Sequence, residues 1–163
     1  MDVAVISDTH MPRGRRALPP ACVERLRAAD LVVHAGDLVE RVVLDELHAL
    51  NPDVVAVAGN MDSRELRELL PATAAVQAEG MRIAVEHDGG PRTGRLERLR
   101  RRHRGADAVV FGHSHIPLHE RAPDGFQIFN PGSPTDRRRQ PDHTMGLARL
   151  SAGSVSFTLL RLD

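Results

Sequence analysis

Apolar residues fall in short runs through the first two thirds of the chain. Val3 to Ile6, Leu31 to His34, Val54 to Ala58, Ile83 to Val85 and Ala108 to Phe111 are each brief and rich in valine and isoleucine. A strand covered on both faces loses the polar alternation of a half-exposed one, so these runs predict buried strands. Between them the apolar spacing lengthens to that of helices. Ala21 to Ala28 follows Pro19 and Pro20, a suitable helix start. Val39 to Leu50 places Val42, Val43, Leu47 and Leu50 on one face and stops before Asn51-Pro52. Ser63 to Leu70 opens on Ser-x-Glu and stops at Pro71, and Thr93 to Arg104 closes at Gly105, a C-cap.

After Arg104 the helical period fades. Leu118 to Arg121, Phe126 to Phe129, Met145 to Leu150 and Val155 to Leu160 read as strands joined by turns such as Pro123-Asp124-Gly125 and Ala152-Gly153. The pattern is βαβα followed by a β-meander. It predicts an α/β fold, either a two-sheet sandwich or one mixed sheet with an antiparallel flank.

Composition narrows the function. At 163 residues the chain has the size of one ordinary domain, and 41% hydrophobic with 27% charged residues suits a packed core. We expect a single domain over residues 1–163. Twenty-two basic residues balance twenty-two acidic ones, which argues against a duplex-DNA partner. All the basic residues are arginine, so lysine chemistry is excluded within the chain. The densest run, Arg100 to Arg104 around His103, reads as a solvated helix end. Without Tyr or Trp, the four phenylalanines offer little for stacking on single-stranded nucleic acid. Cys22 is the lone cysteine, which excludes an intramolecular disulfide and fits a reducing cytoplasm. The start, MDVAVISDTH, has neither the basic end nor the apolar run of a signal peptide, and no stretch is long enough to span a membrane. A cytoplasmic protein is expected.

Chemistry-bearing residues follow every early strand. Asp8 and His10 follow the first, Gly36-Asp37 the second, and Gly59-Asn60 with Asp62 the third. His87 follows the fourth, and Gly112-His113-Ser114-His115 the fifth. Ligands of open α/β sheets bind at the carboxyl ends of strands. Singly, each of these is an ordinary turn or surface residue; placed together, coincidence would have to recur at five strand ends in the correct phase. Asp8, His10, Asp37, Asn60, His87, His113 and His115 combine oxygens with imidazoles. Such a set suits Mn, Fe, Co, Ni or Zn better than Mg or Ca. Seven donors are about right for two ions that share one carboxylate and a bridging water.

In this order the residues resemble the calcineurin-like metallophosphoesterase superfamily. Asp8-Thr9-His10, Gly36-Asp37, Gly59-Asn60-x-Asp62, His87 and Gly112-His113-Ser114-His115 carry the likeness. The short length and Asn130-Pro131-Gly132-Ser133-Pro134 resemble its small bacterial and archaeal phosphodiesterase branch. The resemblance implies a two-sheet β-sandwich flanked by helices, in α/β/β/α layers. It implies one ion on Asp8, His10, Asp37 and His115 and another on Asp37, Asn60, His87 and His113, with manganese first among the candidates. Asp37 would bridge, a metal-bridging hydroxide would attack a phosphoester in line, and Asn60 would touch the phosphate. The implied partner is a small phosphoester, a nucleotide among the candidates.

Two positions depart from the family. Met61 stands where many relatives carry a histidine proposed to assist the leaving group, and Asp62 then has no neighbouring histidine to orient. Asp88 stands where the family usually has glycine; it would crowd the second ion, repel a phosphate or point away. His34, His48, His103, His119 and His143 match no motif position and read as structural or surface residues. Two other functions share the fold. One is a non-catalytic assembly scaffold, as in the scaffold subunit of the retromer coat. The other is a nucleotide-specific hydrolase, whose extra phosphates Arg13, Arg15, Arg16 and Arg137 to Arg139 would hold.

Overall fold

The structure, a computed structural model, describes residues 1–163. Ten strands form two five-stranded mixed sheets. The first sheet has the order β10-β9-β1-β2-β3, from Ser154–Arg161, Thr144–Ser151, Asp2–Ile6, Leu31–His34 and Val54–Ala56. The second has the order β4-β5-β6-β8-β7, from Thr73–Ala78, Met81–Glu86, Ala108–Val110, Gln127–Asn130 and Leu118–Arg121. β1, β2 and β3 run parallel, as do β5, β6 and β8. Parallel neighbours need a crossover. Helices α1 (Pro20–Ala28), α2 (Arg41–Leu50) and α4 (Arg95–Arg102) supply three of them, and α3 (Arg64–Leu69) links the sheets between β3 and β4.

Side-chain alternation builds three apolar layers. Val3 and Val5 of β1 point between the sheets, where they join Val33, Val85, Val110, Phe129, Leu150 and Phe157. Ala4 and Ile6 point outward to Cys22 and Leu26 of α1, Val43, Leu44 and Leu47 of α2, and Leu66 of α3. On the far face Val109, Phe111 and Ile128 pack with Leu99 of α4. This is the α/β/β/α sandwich.

Several elements differ from the sequence pattern. β4 leaves no strand pattern in the sequence: its Thr, Ala and Gln side chains carry little apolar signal, because it is an edge strand with only Val76 buried. The C-terminal strands do not form a meander. β7 and β8 pair within the second sheet, whereas β9 and β10 form a hairpin whose β9 lies antiparallel to β1 in the first. Residues 131–143 carry the chain from one sheet to the other. α2 begins at Arg41 because Val39 has φ +90° and its N–H is taken by Asp62. The helix buries Val43, Leu44 and Leu47, leaving Val42 47% exposed. The arginine run is partly anchored: Arg100 bonds Asp124, and Arg102 bonds the buried Glu86 at 2.7 Å, with His103 on the other carboxylate oxygen at 2.9 Å.

Candidate metal centre

The loops after β1, β2, β3, β5 and β6 converge, and all seven singled-out side chains meet there. The turns are sharp. Asp8, His10, Asp37, His113 and His115 all have positive φ, between +46° and +67°. For a residue with a Cβ this conformation costs about 1–2 kcal/mol, so the surrounding bonds must impose it. Glycines in the converging loops are required by proximity. A Cβ on Gly59 would collide with the backbone and carboxylate of Asp37, and one on Gly112 would lie 2.7 Å from Asp8 Oδ2.

Asp37 is central. Its Oδ1 accepts the Met61 N–H at 2.7 Å. Its Oδ2 lies 3.3 Å from His10 Nε2 and 3.4 Å from His87 Nε2, so one oxygen faces an imidazole on each side. On one side, Asp8 Oδ1 is 4.0 Å from His10 Nε2 and 3.5 Å from His115 Nε2. On the other, Asn60 Oδ1 is 2.9 Å from both His87 Nε2 and His113 Nδ1. Metal-capable atoms of Asp8, His10 and His115 lie within 4.8 Å of one another, as do those of Asp8, Asp37 and His87. Asn60 and His113 are exposed at the mouth, and the other five are buried.

The surroundings fix which ring nitrogens carry protons. His87 Nδ1 donates to the Ala35 carbonyl at 2.8 Å, and His115 Nδ1 donates to the Asp136 carbonyl at 2.5 Å. In their neutral forms both rings therefore turn a bare Nε2 inward. His10 Nε2 and His115 Nε2 are buried without a hydrogen-bond partner. A buried polar atom left unpaired is costly, so these lone pairs call for a cation. The donor set, imidazoles with carboxylates and an amide, fits a borderline divalent ion.

Charge is correspondingly unbalanced. Burial pushes Asp8 up to about 6 despite the nearby His87 and the Ser7 hydroxyl. Burial also opposes a charge on Asp37, but His10, His87 and the Met61 N–H outweigh it and hold this carboxyl below its ordinary value. Burial disfavours a proton on His87 too, yet Asp37 and Asp8 prevail and push it up to about 9. His115 falls below its ordinary value, chiefly through burial, with the positive charge of Arg138 adding.

Supporting residues complete the site, and most left no motif in the sequence. The Ser7 hydroxyl reaches Asp8 Oδ2 at 2.7 Å, and the Ser133 hydroxyl donates to the Asp8 carbonyl at 2.8 Å. Asn130 donates to the Gly112 carbonyl at 2.8 Å. His34 is fully buried: its Nδ1 accepts the Gly36 N–H at 3.2 Å, so its Nε2–H serves Thr9 Oγ1 at 3.1 Å. Asp62 orients no histidine. It clamps the turn instead, accepting the N–H groups of Val39 and Gly59 at 2.7 Å each. Asp88 points away from the centre and accepts the Gly90 N–H at 2.7 Å. Met61 turns a 38% exposed thioether to solvent.

Two layers of sheet between helices, with an imidazole–carboxylate centre at the strand ends, define a class of metal-dependent phosphoesterases. Residues 1–153 match the calcineurin-like phosphoesterase superfamily domain. A probable metallophosphoesterase of Methanothermobacter thermautotrophicus is 36% identical over 163 residues, 99% of this chain and 92% of that one. The chain belongs to the calcineurin-like phosphoesterase superfamily. A phosphodiesterase of Methanocaldococcus jannaschii is 27% identical over 145 residues, 81% of this chain and 83% of that one. Among solved structures, Vps29 of Chaetomium thermophilum matches with a TM-score of 0.86 at 22% identity, covering 100% of this chain and 86% of that one. That last likeness shows the fold. No helix of the structure is long and apolar enough to cross a membrane.

Proposed function

We propose that the protein is a dinuclear metal-dependent phosphodiesterase. The observation that carries this is the pair of buried, unpartnered imidazole nitrogens on His10 and His115, each facing a buried carboxylate. Asp8, His10, Asp37 and His115 would hold one ion, and Asp37, Asn60, His87 and His113 the other. Asp37 is suited to be shared, since its Oδ1 is engaged by backbone while its Oδ2 faces both halves. Two divalent cations, when bound, neutralise phosphoryl charge and lower the pKa of water. The mixed donors suit Mn, Ni, Fe, Co or Zn, and manganese is the ion to test first.

The chain's own groups do the rest. Asn60 turns its Oδ1 on two imidazoles, which leaves its NH2 to donate to a phosphoryl oxygen. Met61 has no proton to give a departing alkoxide, Asp62 is spent on two backbone N–H groups, and Asp88 faces Gly90. Esters with an acidic leaving group are therefore favoured, and the named phosphodiesterase relative supports diesters. A small phosphoester is the expected partner, since the balanced charge argues against a duplex. The lone thiol and the lack of a membrane-spanning helix fit a cytoplasmic enzyme.

The test is metal-depleted protein with bis(p-nitrophenyl) phosphate, followed by addition of Mn, Ni or Co. Metal should restore turnover, and Asp37→Ala should lose it together with both bound equivalents. Two bound equivalents without hydrolysis of any mono- or diester would favour the assembly scaffold.

A further inference from the structure

Two arginine-rich loops, far apart in sequence, meet at one edge of the centre. Arg13, Arg15 and Arg16 follow β1, and Arg137, Arg138 and Arg139 follow β8. The loops are tied together by three contacts. The Thr135 hydroxyl donates to the Thr9 carbonyl at 2.5 Å, the Ser133 hydroxyl donates to the Asp8 carbonyl, and Arg16 Nη2 lies 3.3 Å from Asp136 Oδ2. Arg138 Nε approaches the same Asp136 oxygen at 3.8 Å. The backbone carbonyl of Asp136 is the group that orients His115. The cluster is thus joined to the metal centre twice, through Asp136 on His115 and through Ser133 on Asp8.

Its charge is only partly compensated, by Asp136 beside Arg16 and Arg138 and by Asp163 near Arg137. Segments 13–16 and 136–139 hold six arginines against one acid, whereas elsewhere in the chain acids outnumber arginines by five. The guanidinium groups of Arg13, Arg15 and Arg139 have no partner, and the Arg138 side chain is 58% exposed although it sits beside Asp136. Like charges gathered with too little counter-charge repel, and a bound polyanion relieves that repulsion. Stacking of a base on a phenyl, phenol or indole ring is excluded at the same time. Phe111, Phe126, Phe129 and Phe157 are all buried, and the chain has no Tyr or Trp.

We infer that this rim is a subsite for a second phosphate carried by the same small substrate as the scissile ester. The preferred substrate is then a doubly phosphorylated small molecule, read through its charge rather than through an aromatic base. Guanidinium groups suit this role, because their paired donors match two phosphate oxygens. The inference rests on the phosphodiesterase reading and names the substrate class for it.

The experiment compares two diesters with one leaving group, thymidine 5′-(p-nitrophenyl phosphate) and its 3′-phosphorylated form. The expected kcat/KM ratio favours the 3′-phosphorylated ester by about tenfold or more, the effect of one charge-assisted contact. The ratio should fall with added salt and approach unity in the double variant Arg138→Ala, Arg139→Ala, while Arg138→Lys, which keeps the charge but loses the paired donors, retains only part of it. Equal rates on the two esters, or a ratio that the double variant leaves unchanged, would overturn the subsite while leaving the phosphodiesterase reading intact. A preference seen only with oligonucleotides, growing with their length, would also overturn it, in favour of a strand-binding groove. If neither ester is hydrolysed with any metal, the phosphodiesterase reading fails. Calorimetry on metal-depleted protein then decides the subsite alone. Tenfold tighter binding of thymidine 3′,5′-bisphosphate than of the 5′-monophosphate, lost in the double variant, supports it, and equal binding overturns it.

Discussion

Lowering the pH of metal-depleted protein should destabilise it through His34. This ring is fully buried and bonded at both nitrogens as a neutral imidazole, between the Gly36 N–H and Thr9 Oγ1. Burial, with the charges of His87 and His10 adding, lowers its pKa from 6.5 to about 3. The folded ring therefore refuses a proton that the unfolded chain accepts. Its contribution is fully present above pH 6.5 and is lost as pH falls from there toward 3. Between pH 8 and pH 5 the loss is about 2 kcal/mol. Asp8 works in the opposite sense below pH 6, since its raised pKa lets the folded state bind a proton first. The measurement must therefore be differential. Urea unfolding followed by far-UV circular dichroism, the natural probe for a chain without Trp or Tyr, is run on wild type and His34→Gln across this range. Wild type should be the more stable at pH 8, and its lead should shrink by about 2 kcal/mol at pH 5. A lead independent of pH would refute the reasoning, because it would mean that His34 titrates alike in both states.

Other outcomes follow from single contacts. Asp62→Asn places an amide NH2 against one of two backbone N–H groups, and chemical denaturation should show a loss of about 2–3 kcal/mol. Gly112→Ala drives a methyl group against Asp8 Oδ2 and Ser7; elemental analysis should show loss of metal from the His115 side, and unchanged metal content would refute that proximity. Burial pushes the Cys22 thiol up to about 12, so an aromatic disulfide reagent at pH 8 should label it only as fast as the chain unfolds. Labelling that outpaces unfolding would show that the α1 interface opens locally.

The strands that carry the site were legible because burial on both faces leaves an unmistakable apolar run, as in Val3 to Ile6 and Ala108 to Val110. The polar residues after each run gave the site its outline for the same reason, since a buried strand must end before a charged side chain can reach water or a ligand. What stayed hidden depends on contacts between distant segments. β4 is half-exposed and built on alanine, so neither period stands out. The sheet exchange of β9 and β10 is set by pairing with β1, which no local pattern encodes. The buried face of α2 includes Leu44 rather than Val42, because the helix's rotation is set by its packing on α1 and β1, which no local pattern encodes. Ser7 and Ser133 gave no signal, since a hydroxyl that supports a ligand looks like any serine until its partner is known.

The place of β1 between β2 and β9 has a consequence for the protein's own making. During synthesis β1 and β2 emerge close together and can pair at once, but the other flank of β1 waits for residues 144–151. Until then the nascent chain exposes an open strand edge, and the Ser133 support of Asp8 emerges only shortly before that edge is covered. Capture of an ion by the half-made chain would fix Asp8 and His10 before their neighbours arrive. The order of emergence therefore makes loading of the complete centre a late event, coupled to closure of the first sheet.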